Sequence, residues 1–308
     1  MIKNTTYKDQ QTITIDSGKA SFTFLPSHGA SMVSAKLGDR EFMIQRPEPT
    51  YRTVPFDGDY VEAECSGMDD MFPTIDVCQY ESFPGQGVKL ADHGEAWNLP
   101  CKAEIDGETV RFTSHGVRLP YIFHKDISMK DDHTLRIDYR AENPTDFPMD
   151  FLWACHTMLK AEPGLKLIVP DNCTKAQAVF EENGSIGDYA DEFDYPVHVD
   201  KNGVSHDFSV MGEPRNCNEK YYFKYPVSKG FCAIEHADGA KFEMRFPEEK
   251  VPYLGILQNY GCFRGMYNIF LEPCTASFDR PDIAKAMKKA SVIPAQSEYT
   301  WHIEIELS

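Results

Sequence analysis

The chain has 308 residues, of which 42% are hydrophobic and 26% charged, enough apolar surface to bury a sizeable core. Its 31 basic and 48 acidic residues leave a net charge of −17. A field of that sign repels phosphate backbones and anionic lipid, which excludes nucleic acid and membrane surfaces as partners.

Alternation of apolar and polar residues dominates in chain order. Residues 12–15 and 20–24 read as two short strands separated by Asp16-Ser17-Gly18, and residues 31–37 and 41–44 as a hairpin around Gly38-Asp39. Residues 110–114 alternate after the turn Asp106-Gly107. Residues 122–129 and 134–142 form the clearest hairpin, with Leu135, Ile137 and Tyr139 on one face and Arg136, Asp138 and Arg140 on the other. Further strands are predicted over 149–156, 165–169, 221–225, 231–236, 241–246, 253–258, 267–272 and 299–307, the last with Trp301, Ile303, Ile305 and Leu307 on one face. Helical periodicity is confined to 281–289, with Pro281 in the first turn and Lys288 and Lys289 near the end. Residues 181–207, acidic and broken by Gly and Pro, read as a long connection or insertion. With no repeat or low-complexity linker, residues 1–308 are expected to form one domain, a large antiparallel β-sandwich or barrel of the all-β class.

The nine cysteines are odd in number and none is spaced CxxC, so reduced, buried thiols are expected rather than a disulfide framework or a zinc site. No apolar run of about 18 residues is present to span a membrane. The opening MIKNTTYKDQ has no apolar signal region, so a cytoplasmic location is expected. Nucleotide-binding, serine-hydrolase and zincin motifs are all missing.

Three segments carry polar groups that a strand-and-loop pattern does not demand. In Asp92-His93-Gly94-Glu95-Ala96-Trp97, a His followed by Gly either reaches a cleft or sits in a surface turn. In Leu152-Trp153-Ala154-Cys155-His156-Thr157, His156 ends an apolar strand, as a core imidazole or as a working one with its pKa lowered by desolvation. In Ile269-Phe270-Leu271-Glu272-Pro273, Glu272 closes an apolar strand before a strand-ending Pro, as a surface carboxylate or as a buried base with a raised pKa.

These segments follow one another in an order that resembles the aldose 1-epimerase, or galactose mutarotase-like, family, nearly end to end. The set runs from Gly67-Met68-Asp69-Asp70-Met71-Phe72-Pro73 through His93-Gly94, the strand Leu135 to Asn143 and Pro148-Met149-Asp150-Phe151 into His156. It ends with Leu271-Glu272-Pro273 and a last strand carrying Trp301. The resemblance implies a two-sheet supersandwich with a cleft on one concave face and an isomerase that interconverts the α and β anomers of a free sugar. It needs no metal or organic cofactor, and works as a monomer or homodimer. By matching segments, Glu272 would be the base, His156 the acid, and His93 a donor to the ring oxygen or C1 hydroxyl. Asp70, Trp97 and Lys220 are the expected sugar-binding residues. Relatives acting on hexose 6-phosphates carry Arg where Trp97 stands, so a neutral sugar is expected. A hexose-6-phosphate 1-epimerase and a non-catalytic sugar-binding protein are the competing readings.

Overall fold

The computed structural model describes residues 1–308. Two antiparallel sheets face each other, and α-helix is limited to one short segment. The larger, twelve-stranded sheet has at its centre the strands Met68–Met71, Ala154–Lys160, Tyr267–Cys274, Tyr253–Tyr260, Asn218–Phe223 and Lys175–Glu182, in that spatial order. The N-terminal strands Ile2–Tyr7, Gln10–Asp16, Ala20–Leu25 and Ser31–Leu37 extend it on one side, and Glu192–Asp194 closes the other. The eight-stranded sheet is built around Thr134–Asn143, which pairs with Ile122–Met129 and with Ser297–Leu307. The expected all-β antiparallel sandwich is thus the observed architecture.

The inter-sheet core is one cluster of 61 buried residues. Its register follows the alternation read from the sequence: Ile137 opposes Ile303 and Tyr139 opposes Trp301, with the last two rings stacked at 5.2 Å. Trp153 packs against both rings and is fully buried. Burying each such side chain contributes about 1.5–3 kcal/mol. A second cluster of 14 residues, including Tyr60, Trp97, Tyr222 and Phe278, covers the opposite face of the large sheet. The central strands are therefore buried on both faces. Asn218–Phe223 is buried at all six positions, Tyr221 and Phe223 joining the inter-sheet core and Tyr222 the outer cluster.

Four expectations are corrected. The strand expected over 149–156 is two: Met149–Phe151 pairs with Ser291–Ile293 in a small separate sheet, and Ala154–Lys160 enters the large one. His156 therefore lies inside a strand rather than at its end. The strand carrying Glu272 also does not stop at Pro273 but runs to Cys274. Between the pairs Ala154–Cys274 and Thr157–Leu271 the ladder is open, and Pro273, which has no N–H to donate, falls in that gap. The helix is shorter than expected, Pro281–Ala286, and Lys288 already has a positive φ. Finally, residues 181–207 are not a bare connection. They contain Glu192–Asp194, which pairs with the large sheet, and the hairpin Val197–Val199 with Ser205–Asp207.

Candidate active site

A cavity of about 460 Å³ opens on the outer face of the large sheet. Its walls include His93, His156, Lys220, Asp92, Asp279 and Arg280, together with a broad apolar lining. Glu272 lies immediately beneath its floor.

The three residues far apart in sequence meet because three strands and one loop converge. His156 lies on Ala154–Lys160 and Glu272 on its neighbour Tyr267–Cys274. Gly255 opposes Glu272 on the next strand, and its missing side chain is what admits the carboxylate. A Cβ there would sit 3.3 Å from both Glu272 Oε2 and Tyr222 Cε1. His93 comes from the loop after Lys89–Leu90 and has φ +61°. It is held by its N–H donating to the Ile75 carbonyl and by Gly94, whose Cβ would fall 2.3 Å from the Phe72 carbonyl oxygen. Only glycine lets the loop approach that closely.

Glu272 is fully buried, and neither of its oxygens accepts a directed hydrogen bond. Lys220 Nζ stands 3.2 Å from Oε2, off the hydrogen-bonding line, so the contact is an ion pair. His156 Nε2 is 3.7 Å from Oε1, too far for a hydrogen bond. That spacing leaves an apex from which one oxygen reaches both atoms at about 2.8 Å. Burial raises the Glu272 pKa above the usual carboxylate range, against the pull of Lys220. Lys220 also pairs with Asp279 Oδ2 at 2.9 Å. Burial disfavours its charge, but Asp279 and Glu272 outweigh that and keep it firmly protonated.

His156 is buried and neutral, its pKa held well below the ordinary value first by desolvation and then by His93 and Lys220. Its Nδ1 lies 3.2 Å from the Tyr60 hydroxyl, which donates to Asp69 Oδ2 at 2.9 Å. The chain Asp69–Tyr60–His156 thus places the proton on Nδ1 and aims the lone pair of Nε2 at Glu272. The Tyr60 ring stacks on His93 at 3.9 Å and meets His156 edge-on. Asp92 Oδ2 lies 2.9 Å from His93 Nδ1; burial raises the Asp92 pKa, but His93 reverses this and leaves it lowered.

The structure thus brings together Glu272, His156, His93 and Lys220, and leaves out two expected sugar contacts. Asp70 points to the inter-sheet core, where it pairs with Lys125 at 2.7 Å and accepts from Trp153 Nε1 at 2.8 Å. Alternation along the strand gives the outer face to Asp69 instead. Trp97 stands behind Tyr60, edge-on at 4.9 Å, and does not line the cavity. Tyr60, Asp69 and Asp279 were missed. The period-2 rule applied to Asp69-Asp70 signals Asp69; Tyr60 opens a single 3-10 turn and Asp279 lies in an irregular segment, and neither gives such a cue.

Burial pushes the Asp69 pKa up to about 6, against hydrogen bonds from Ser31 and Tyr60. The folded state therefore holds this proton more tightly than the unfolded chain, and Asp69 costs stability as pH rises from about 4 to about 6. Asp69→Asn is expected to remove that loss. Urea midpoints from pH 4 to 7 should show the variant gaining on the wild type over that interval; a constant offset would refute the assignment.

No family model matches the chain, and no curated protein sequence matches it. Solved structures do. The Slr1438 protein from Synechocystis aligns over 99% of both chains with TM-score 0.69 at 16% identity. A protein provisionally named an aldose 1-epimerase, from Klebsiella pneumoniae, aligns over 98% of this chain and 81% of its own, with TM-score 0.71 at 14% identity. A galactose mutarotase-like protein from Clostridium acetobutylicum aligns over 100% of this chain and 98% of its own, with TM-score 0.66 at 14% identity. At the level of the fold the resemblance read from the sequence holds: the chain has the galactose mutarotase-like β-sandwich fold.

Proposed function

We propose that the protein is an aldose 1-epimerase that interconverts the α and β anomers of a neutral sugar by acid–base ring opening. The observation that carries this is Glu272, a buried carboxylate with no directed hydrogen bond, 3.7 Å from a buried imidazole at the floor of a cavity. A hemiacetal presents two oxygens on one carbon, and this pair offers one partner for each. Glu272 takes the proton of the C1 hydroxyl, His156 Nε2–H gives a proton to the ring oxygen, and the C1–ring oxygen bond breaks to leave an open-chain aldehyde. Rotation about C1–C2 and the reverse transfers close the other anomer.

The pair carries one proton throughout. Before opening it is on His156, and afterwards it is on Glu272. Burial, which raises Glu272 and lowers His156, pulls toward the second form. A neighbouring cation, Lys220, favours ionised Glu272 and so brings the two forms closer in energy. His93, fixed by Tyr60 and Asp92, hydrogen-bonds the ring oxygen or C1 hydroxyl.

The state of the cavity's two cations supports a neutral substrate. Lys220 is committed to Asp279 and Glu272, and Arg280 is forked onto Asp282 at 3.1 and 2.6 Å. Neither is left for a phosphate. Saturation-transfer or exchange NMR on glucose, galactose and glucose 6-phosphate tests the reading: accelerated exchange of a neutral aldose is expected. Preference for the phosphate would overturn the substrate class, and no acceleration of any aldose would overturn the activity. His156→Asn is expected to lower exchange by about a hundredfold or more. Its melting temperature should fall less than that of a core truncation such as Trp153→Ala; retained exchange would remove His156 from the chemistry.

A further inference from the structure

The register of the large sheet sorts the cavity floor into rows. The row of His156 and Glu272 continues through Gly255 to Tyr222. Two residues along each strand lies the row Met158–Phe270–Leu257–Lys220–Phe180, whose members pair in sequence across five strands and all line the cavity. Two residues further, Asn268, Asn259 and Asn218 pair in the next row. A polar row, an apolar row and another polar row therefore succeed one another at steps of about 6.7 Å.

The middle row offers a substrate nothing to hydrogen-bond at three successive positions. The Met158 N–H donates to the Gly67 carbonyl and its carbonyl accepts from Ile44 N–H, Phe270 and Leu257 pair with each other across the ladder, and the one cation of the row, Lys220, is turned to Asp279 and Glu272. Phe270 lies directly beside His156, ring to ring at 4.9 Å. With the ring oxygen on His156, the exocyclic carbon on C5 is the part of a pyranose that projects past that imidazole. On the same strand, the next residue facing the cavity is Met158. In that pose the hydroxyls at C2 to C4 would turn toward the side of the cavity lined by Asp92, Asp279 and Arg280.

We infer that the apolar row selects the group on C5, and that the preferred substrate is a 6-deoxyaldohexose, with methyl in place of hydroxymethyl. This rests on the epimerase reading above. A hydroxymethyl oxygen over Met158, Phe270 and Leu257 gives up water for no partner, whereas a methyl group is buried there at a gain. Apolar sites discriminate against an added hydroxyl by up to about a hundredfold, and an unpaired buried polar group costs a comparable factor.

The test compares matched pairs by exchange NMR: D-galactose with 6-deoxy-D-galactose, D-glucose with 6-deoxy-D-glucose, and L-mannose with 6-deoxy-L-mannose. In the pair whose ring configuration the site accepts, kcat/KM is expected to favour the deoxy sugar by about tenfold to a hundredfold. Leu257 is half-buried, so Leu257→Gln is expected to fold, which a thermal melt checks, and to bring that ratio toward one by supplying a partner for the hydroxyl. Hydroxymethyl sugars exchanged as well as or better than their partners in every pair would overturn the inference while leaving the epimerase in place. No exchange of any of the six would overturn both.

Discussion

Glu272→Gln is expected to lower anomer exchange by at least about a hundredfold, the usual yield of one positioned proton-transfer group. The amide has the shape of the carboxylate and cannot accept the C1 hydroxyl proton. Folding should survive the change. The wild-type carboxylate is fully buried with no directed hydrogen bond, so neutralising it removes a desolvation cost, and Lys220 keeps Asp279 as its partner. Thermal melts on the same preparation separate lost chemistry from lost structure. A folded Gln variant with wild-type exchange would show that Glu272 is not the base, and a different acceptor would have to be sought around the cavity.

Lys220→Met is expected to change the pH profile more than the plateau rate. The ammonium 3.2 Å from Oε2 favours ionised Glu272, so its loss raises the Glu272 pKa further above the usual range. Ring opening needs that group ionised. The acid limb of kcat should therefore move to higher pH, by on the order of one to three units for an opposite charge at this range. Activity then falls steeply at pH 6 and less at pH 8.5. The limb belongs to the coupled Glu272–His156 pair rather than to either group alone. Because Met leaves two buried carboxylates facing each other, the double variant with Asp279→Asn serves as a charge-balanced companion. If both variants lose activity equally at every pH, Lys220 acts by shape and not by charge.

The sheet pattern was legible because burial on one face writes a period of two into the sequence. Thr134–Asn143 and Ser297–Leu307 show it plainly, and their inward residues are the core. The pattern failed where both faces are covered. Asn218–Phe223 and Ala154–Lys160 are buried almost throughout, so alternation gave no edge to read, and the strand around His156 was merged with its neighbour. Glu272, His156 and His93 were found by their order along the chain, not by any local pattern that marks a base or an acid. Lys220 was expected to be a substrate contact; its pairing with Glu272 depends on two strands meeting, which no local window contains. Tyr60 and Asp279 depend on loop paths fixed by tertiary contacts, and Trp97 was misplaced because a residue two or three positions after a Gly can end on either side of the loop.

The dipeptide Asp69-Asp70 has a role in how the strands find their alignment. It is flanked by Met68 and Met71, all four residues are buried, and the two acids answer different partners on opposite faces. Sliding this strand by one position in either direction sets a methionine against Lys125 or against Tyr60 and Ser31. The first error strands an ammonium in the interior, at a cost of about 3–5 kcal/mol. Since Asp69 pairs with His156 across the ladder, this penalty for mispairing also sets the height of the imidazole along its strand. The distance between the proposed acid and base is thus proofread from the far side of the sheet, by a charge that never meets the sugar.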